Sequence, residues 1–391
     1  MPEMDFILNI PGLKVLGSRN KQPVELDVEL TCSIVCPRCQ SSEYRKKCSL
    51  SRRIRHENFG KRSVYLWVKL WKYLCKKCSH FFRSPIPGVR KWQRATDAFK
   101  SHVCQTHQMG VSQKELADQW FISCSTIERW FWQNLKRKDH AHQISRCRTY
   151  LGIDEHRVCS KVPFATILCD LGKHKIFDIL PGKSQADLHH SLMALPGRDQ
   201  VKVVCMDLSE SYRRLVKTYF PQAQIVADRF HVIRLVNHAF FKTFQELDPE
   251  IKSNRAKLGL LRPHAWNLSE KKQPIIKAYL ANNPPIQVLY EVKQAINQLL
   301  LCRRSKKKQW KELIKQFLYW KEHLKACSFP YLKTLGKTLK SWEEEIARMW
   351  RYAKNNAITE GFHRKMKLIQ RRAYGFKNFE NYRLRVKLLC G

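Results

Sequence analysis

The chain reads as an α/β protein carrying a small cysteine-anchored module and a helical segment ahead of its main domain. Three observations predict this. Two Cys-x-x-C pairs lie near the start, short β-rich runs alternate with helical ones from residue 150, and positive charge is spread over the whole length. Lysine plus arginine number 73 against 33 acids, and 73 − 33 leaves a formal net charge of +40. That much self-repulsion is usually relieved by a polyanion, above all nucleic acid, because each phosphate contact releases condensed counterions. A ribosome-associated or membrane-surface protein is the other class this charge admits.

The 391 residues allow about two or three domains. With 11 Trp, 13 Tyr and 19 Phe the chain has ample material for packed cores, so the charge does not belong to a disordered tail. No run approaches the roughly 20 apolar residues that span a bilayer, and the N-terminus lacks the pattern of a secretory signal. The expected location is the cytoplasm, in association with the nucleoid. Fifteen cysteines, an odd number, do not suggest a disulfide framework; some should bind metal and others should be buried thiols.

Cys36-Pro37-Arg38-Cys39 and Cys75-Lys76-Lys77-Cys78 can each offer two thiolates to one tetrahedral Zn²⁺. The 35 residues between them include Val64-Tyr65-Leu66-Trp67-Val68-Lys69-Leu70-Trp71, which has strand character. A structural zinc ribbon over residues 1–90 is the expectation, with Cys32 and Cys48 as nearby rival ligands. Residues 91–145 read as helices. Ser112 followed by Glu115 is a capping box, and Leu116, Ala117, Ile127 and Trp130 fall where a helix-turn-helix buries its contacts. The turn is expected at Phe121-Ile122-Ser123, with Phe121 where glycine is commonest. Ser125, Thr126, Glu128, Arg129 and Lys136 would face DNA; an ordinary helical hairpin with a polar face is the plainer alternative.

From residue 150 the runs Tyr150-Leu151-Gly152-Ile153, 164–168, 175–180, 201–206 and 225–227 read as strands, with helices around 186–195 and 210–219. Three strands, a helix, a strand, a helix and a strand make a mixed sheet. Asp154 follows the first strand and Asp207 the fourth, so neighbouring strands would set the two carboxylates side by side. Such a pair repels and prefers to share a divalent cation, the arrangement of two-metal phosphoryl transfer. A cap on the following turn is the ordinary use of either residue alone. A third carboxylate should come from a helix, and from the residues alone Glu360, Glu343, Glu344 and Glu345 all qualify. Ile358, Phe362, Met366 and Ile369 would form the buried stripe of the helix bearing Glu360, and Lys365, Lys367, Arg371 and Arg372 could line DNA. Residues 240–350 look helical and Lys-rich. Their run Arg303-Arg304-Ser305-Lys306-Lys307-Lys308 is either a solvated face or a track for the DNA backbone.

Several blocks resemble the bacterial insertion-sequence transposases of the ISL-three family. They are Gly152-Ile153-Asp154-Glu155, the run from Asp207 to Tyr212, Ala227-Asp228-Arg229-Phe230-His231-Val232, and Thr359-Glu360-Gly361-Phe362 with Arg371-Arg372-Ala373-Tyr374-Gly375-Phe376. The similarity covers essentially the whole chain. It implies a ribonuclease H-like DDE catalytic domain over 146–239 and 351–391, interrupted by a helical insertion over 240–350. It also implies Asp154, Asp207 and Glu360 as catalytic ligands of Mg²⁺ (or Mn²⁺). The interval 360 − 207 = 153 is long, and the insertion accounts for it. Asp228 and His231 look like the C/D-x-x-H motif of insertion-bearing transposases and are expected to support the site or contact DNA. The segment Cys159-Ser160-Lys161-Val162-Pro163 departs from the family's Gly-rich stretch. The implied reaction is metal-dependent strand cleavage followed by in-line transfer of a 3′-OH. It would act on double-stranded DNA, both terminal inverted repeats and target, with the protein as a dimer or larger assembly and no membrane partner. A DNA-binding regulator without enzymatic activity, or a nuclease acting on RNA–DNA hybrids, would share parts of this pattern.

Overall fold

The computed structural model describes residues 8–143, 149–158, 163–302, 309–352, 357–376 and 378–391. The basic run 303–308, residues 159–162 and the pair Asn355-Asn356 lie outside the described residues. The chain divides into two compact units, Met1–Arg137 and Lys138–Gly391.

The first unit begins with five strands: β1 (Leu13–Lys21), β2 (Val24–Leu30), β3 (Tyr44–Phe59), β4 (Arg62–Cys75) and β5 (Phe81–Arg83). They form one sheet in the order β1-β2-β4-β3, with β5 on β4. Strict alternation in β4 drives this: Val64, Leu66, Val68 and Leu70 are buried against Val24, Leu26 and Val28 of β2. β3 is rich in Arg, Lys and Ser and has little strand signal of its own. Its antiparallel ladder with β4 holds it extended, so pairing overrides propensity.

Three helices follow, α1 (Asp97–Gln108), α2 (Gln113–Trp120) and α3 (Cys124–Gln143). The capping box is present: Glu115 N–H donates to Ser112 Oγ at 3.2 Å, and Ser112 N–H donates to Glu115 Oε2 at 2.8 Å. Leu116 and Ile127 are fully buried with Phe99 and Val103, and Ala117 and Trp130 pack at the edge. Phe121 adopts a left-handed conformation (φ 52°) with its ring in solvent, so the turn bends as a glycine there would. α3 starts at Cys124, one residue before the expected Ser125-Thr126, with Ser123 Oγ accepting from Thr126 N–H.

The second unit holds the mixed sheet in the order β10-β9-β6-β7-β8. β6 (Tyr150–Arg157), β7 (Phe164–Asp170) and β8 (Lys175–Pro181) form an antiparallel meander. β9 (Val203–Met206) and β10 (Gln224–Ala227) add in parallel to the other side of β6. Their crossovers contain α4 (Gln185–Met193) and α5 (Glu210–Tyr219). The first strand is longer than the sequence suggests. It runs through Asp154 to Arg157, because the whole segment pairs with β7, Asp154 opposite Ile167.

From β10 the chain enters α6 (Arg229–Leu247), α7 (Arg255–Leu261), α8 (Gln273–Ala281), α9 (Pro284–Leu301), α10 (Gln309–Ala326), α11 (Pro330–Ser341) and α12 (Glu343–Tyr352). It returns to the sheet through α13 (Ala357–Arg372) and α14 (Phe379–Cys390). Arg383 of α14 grips Asp178 of β8 through Nε and Nη2, both at 2.7 Å, and so fixes this helix on the meander. Among the described residues no helix is long and apolar enough to cross a membrane.

Candidate active site and zinc site

The parallel ladder between β6 and β9 ends where Gly152 meets Cys205. Asp154 lies two residues farther along β6, and Asp207 follows the last residue of β9, so the two acids meet at the carboxyl end of the parallel strands. Asp154 is buried, 7% exposed, and its Oδ1 accepts the Glu155 N–H at 2.8 Å. Asp207 Oδ1 is buried and has no hydrogen-bond partner among the described residues. Burial, then repulsion from Asp154, pushes the Asp207 carboxyl up to about 6.

His231 completes the group from the first turn of α6. One ligand atom from each of Asp154, Asp207 and His231 lies within 4.8 Å of the other two. His231 Nδ1 is 3.9 Å from Asp207 Oδ2, and Nε2 is 3.8 Å from Asp228 Oδ2. Asp228 is buried at the N-cap of α6. A buried carboxylate, a half-buried one with an orphaned oxygen, and a neighbouring imidazole fit a divalent cation.

On α13 the side chain facing Asp154 is His363, whose Nε2 is 3.8 Å from Asp154 Oδ2. Sequence reading overlooked His363, although its place one turn after Glu360 on an amphipathic helix was a usable signal. Its Nε2 is buried without a hydrogen bond among the described residues, and burial lowers its basicity. Behind it stands His156, two residues along β6 from Asp154 and so on the same face. His156 is pushed down to about 4, chiefly by burial, and its Nε2 is 2.8 Å from Tyr382 Oη.

Glu360 is exposed and pairs with Arg364 at 3.0 Å. Ile358 and Phe362 are half-buried on this helix, while Met366 and Ile369 are buried. The other acids that sequence left open are engaged elsewhere: Glu343 with Lys321 at 2.6 Å, Glu344 with Arg348 at 2.7 Å, and Glu345 with Arg213 at 2.8 Å.

In the first unit, Cys36 and Cys39 lie between β2 and β3, and Cys75 and Cys78 flank the turn into β5. Their four sulfurs cluster, with Cys36–Cys78 at 3.6 Å and Cys39–Cys75 at 3.5 Å. Thiolates about 2.3 Å from a tetrahedral zinc are roughly 3.8 Å apart, so the cage is of zinc size. The Cys78 N–H draws the Cys75 thiol down to about 7. Cys32 and Cys48 are exposed and outside the cluster.

Comparison with known proteins gives the family. Residues 151–386 match the ISL-three DDE-domain family model, described as "Transposase". The chain belongs to the ISL-three family of transposases. Residues 33–78 match the model described as "zinc-finger of transposase IS204/IS1001/IS1096/IS1165". The chain is also similar to "Transposase for insertion sequence element IS1001" of Bordetella parapertussis, 22% identical over 374 residues, 90% of this chain and 88% of that protein. It is therefore a DDE-type DNA transposase, an enzyme that binds DNA, with a zinc ribbon and a divalent-metal site.

Other basic and polar residues singled out in this transposase sit as follows. Ser125, Glu128, Arg129 and Lys136 of α3 are exposed, and Thr126 is half-buried beside Ser123. Lys365, Arg371 and Arg372 are exposed on α13, and Lys365 Nζ donates to the Leu389 carbonyl.

Proposed function

We propose that Asp154, Asp207 and Glu360 hold the Mg²⁺ or Mn²⁺ ions with which this transposase cuts and joins DNA. The observation that carries the reading is the close Asp154–Asp207 pair with the buried, orphaned oxygen of Asp207. The ions supply Lewis acidity and an activated water. Asp154 and Asp207 position them at the sheet edge, and Glu360 joins once DNA phosphates compete for Arg364. We read the meander followed by two parallel strands as a ribonuclease H-like core, formed by 146–239 and 351–391 around a helical insertion, 240–350.

The ribbon (1–90), with Zn²⁺ on Cys36, Cys39, Cys75 and Cys78, and a helix-turn-helix (91–145) would grip the terminal inverted repeats. Ser125, Thr126, Arg129 and Lys136 suit that contact. Lys365, Arg371 and Arg372 suit the backbone near the cut, Asp228 and His231 support the acids, and a dimer or larger assembly on nucleoid DNA pairs the ends. The test is a duplex carrying the element's terminal repeat, incubated with and without divalent ion. Binding in both conditions and strand cleavage only with Mg²⁺ or Mn²⁺ is expected. Ion-independent cleavage, or no preference for the repeat over an RNA–DNA hybrid, overturns the reading.

A further inference from the structure

We propose that the catalytic centre is a mixed carboxylate–imidazole metal site: His231 and His363 each lend a ring nitrogen to an ion held against the aspartates, which makes Mn²⁺ the preferred metal over Mg²⁺. This rests on the reading of Asp154 and Asp207 as metal ligands.

The two rings stand on different helices and approach different acids. His231 Nδ1 is 3.9 Å from Asp207, and His363 Nε2 is 3.8 Å from Asp154. Both separations are too long for a hydrogen bond. Two donors about 2.1 Å from one small cation lie roughly 3 to 4.2 Å apart, depending on the angle between them, and both separations fall inside that range. Asp154 therefore serves as the shared carboxylate, with Asp207 and His231 on one flank and His363 on the flank of the helix that carries Glu360.

Each ring also has a neighbour on its far side. The far nitrogen of His231 faces the buried Asp228 carboxylate at 3.8 Å, beyond hydrogen-bond reach but close enough for the negative charge to favour an imidazole donor. This gives the Asp228-x-x-His231 spacing a chemical purpose: the N-cap carboxylate and the imidazole come together in the first turn of one helix. The His363 ring rests 5.2 Å from the His156 ring, and His156 is held by Tyr382 at 2.8 Å. His363 Nε2, buried and without a hydrogen bond among the described residues, is left for the ion. Mg²⁺ favours oxygen donors and retains its waters, whereas imidazole favours the transition ions.

The test uses the full-length, zinc-loaded protein with Mn²⁺ as probe. Electron spin-echo spectra should show modulation from directly bound nitrogen in the wild type, weaker in His231→Gln and in His363→Gln, and absent in the double variant. Each substitution should weaken Mn²⁺ binding about tenfold and leave Mg²⁺ binding nearly unchanged. Mn²⁺ binding that depends on Asp207 but lacks nitrogen modulation refutes the imidazole ligands and leaves the carboxylate site standing. Mn²⁺ binding indifferent to Asp207→Asn removes the carboxylate site itself, and this inference with it.

Discussion

Arg213 sets Nε and Nη2 on the two carboxylate oxygens of Glu345 at 2.9 and 2.8 Å, and its guanidinium lies 3.8 Å over the Trp342 ring. The pair joins α5, behind the sheet, to the start of α12, and the Glu345 side chain is only 8% exposed. Without Glu345, Arg213 would keep Glu210 at 2.8 Å and the Ser341 carbonyl at 2.7 Å but lose two charged hydrogen bonds. Glu345→Ala should therefore lower stability by about 2 kcal/mol, read as a shifted urea midpoint with unchanged slope. At a temperature where it stays folded, its cleavage rate should match the wild type. A large loss of rate in a fully folded Glu345→Ala protein would return Glu345 to the list of catalytic acids.

Asp207 makes the ion-free protein sensitive to pH. Its folded carboxyl sits at about 6, above the ordinary Asp value of about 3.9. A raised acid binds its proton more tightly in the folded state, so this contribution to stability is fully present below about 4 and is lost as pH rises through about 6. In protein loaded with zinc but free of Mg²⁺ and Mn²⁺, Asp207→Asn should flatten that part of the stability profile and melt higher than the wild type at pH 7. Equal melting temperatures would show that the two acids do not strain each other.

Zinc removal should act on the first unit alone. One Zn²⁺ per chain is expected, retained by Cys32→Ser and Cys48→Ser and lost in Cys39→Ser. Chelation should open the ribbon to protease while the fragment from residue 138 stays resistant, since such sites hold zinc with an apparent 10–16 kcal/mol, roughly, of folding free energy. Zinc content measured by atomic absorption, beside limited proteolysis, checks both statements.

Tyr382→Phe removes one buried hydrogen bond to His156 and should cost about 1–2 kcal/mol. Because His156 backs His363, the substitution should also slow cleavage more than it weakens DNA binding. Unchanged cleavage would confine Tyr382 to packing.

Much of this was legible in the chain. The cysteine pairs, the capping box at Ser112, the meander and the strand-end position of Asp207 all follow from local spacing and period. β3 was not legible, because its extended form depends on β4. Asp154 was read as following its strand because local pattern shows the strand at 164–168 but not its pairing with residues 154–157, which extends β6 to Arg157. His363 was hidden behind Glu360, since a motif names a residue while only packing reveals which side chain of a helix turns inward.

The central claim is that Asp154 and Asp207 share the metal that breaks the phosphodiester. Single-turnover cleavage of a labelled terminal-repeat duplex by Asp154→Asn and Asp207→Asn, at matched DNA occupancy, tests it most directly. The account predicts that each variant binds the duplex as the wild type does and cleaves it roughly a thousandfold more slowly, a loss of several kcal/mol of transition-state stabilisation. Wild-type cleavage by either variant in Mg²⁺ or Mn²⁺ would contradict it.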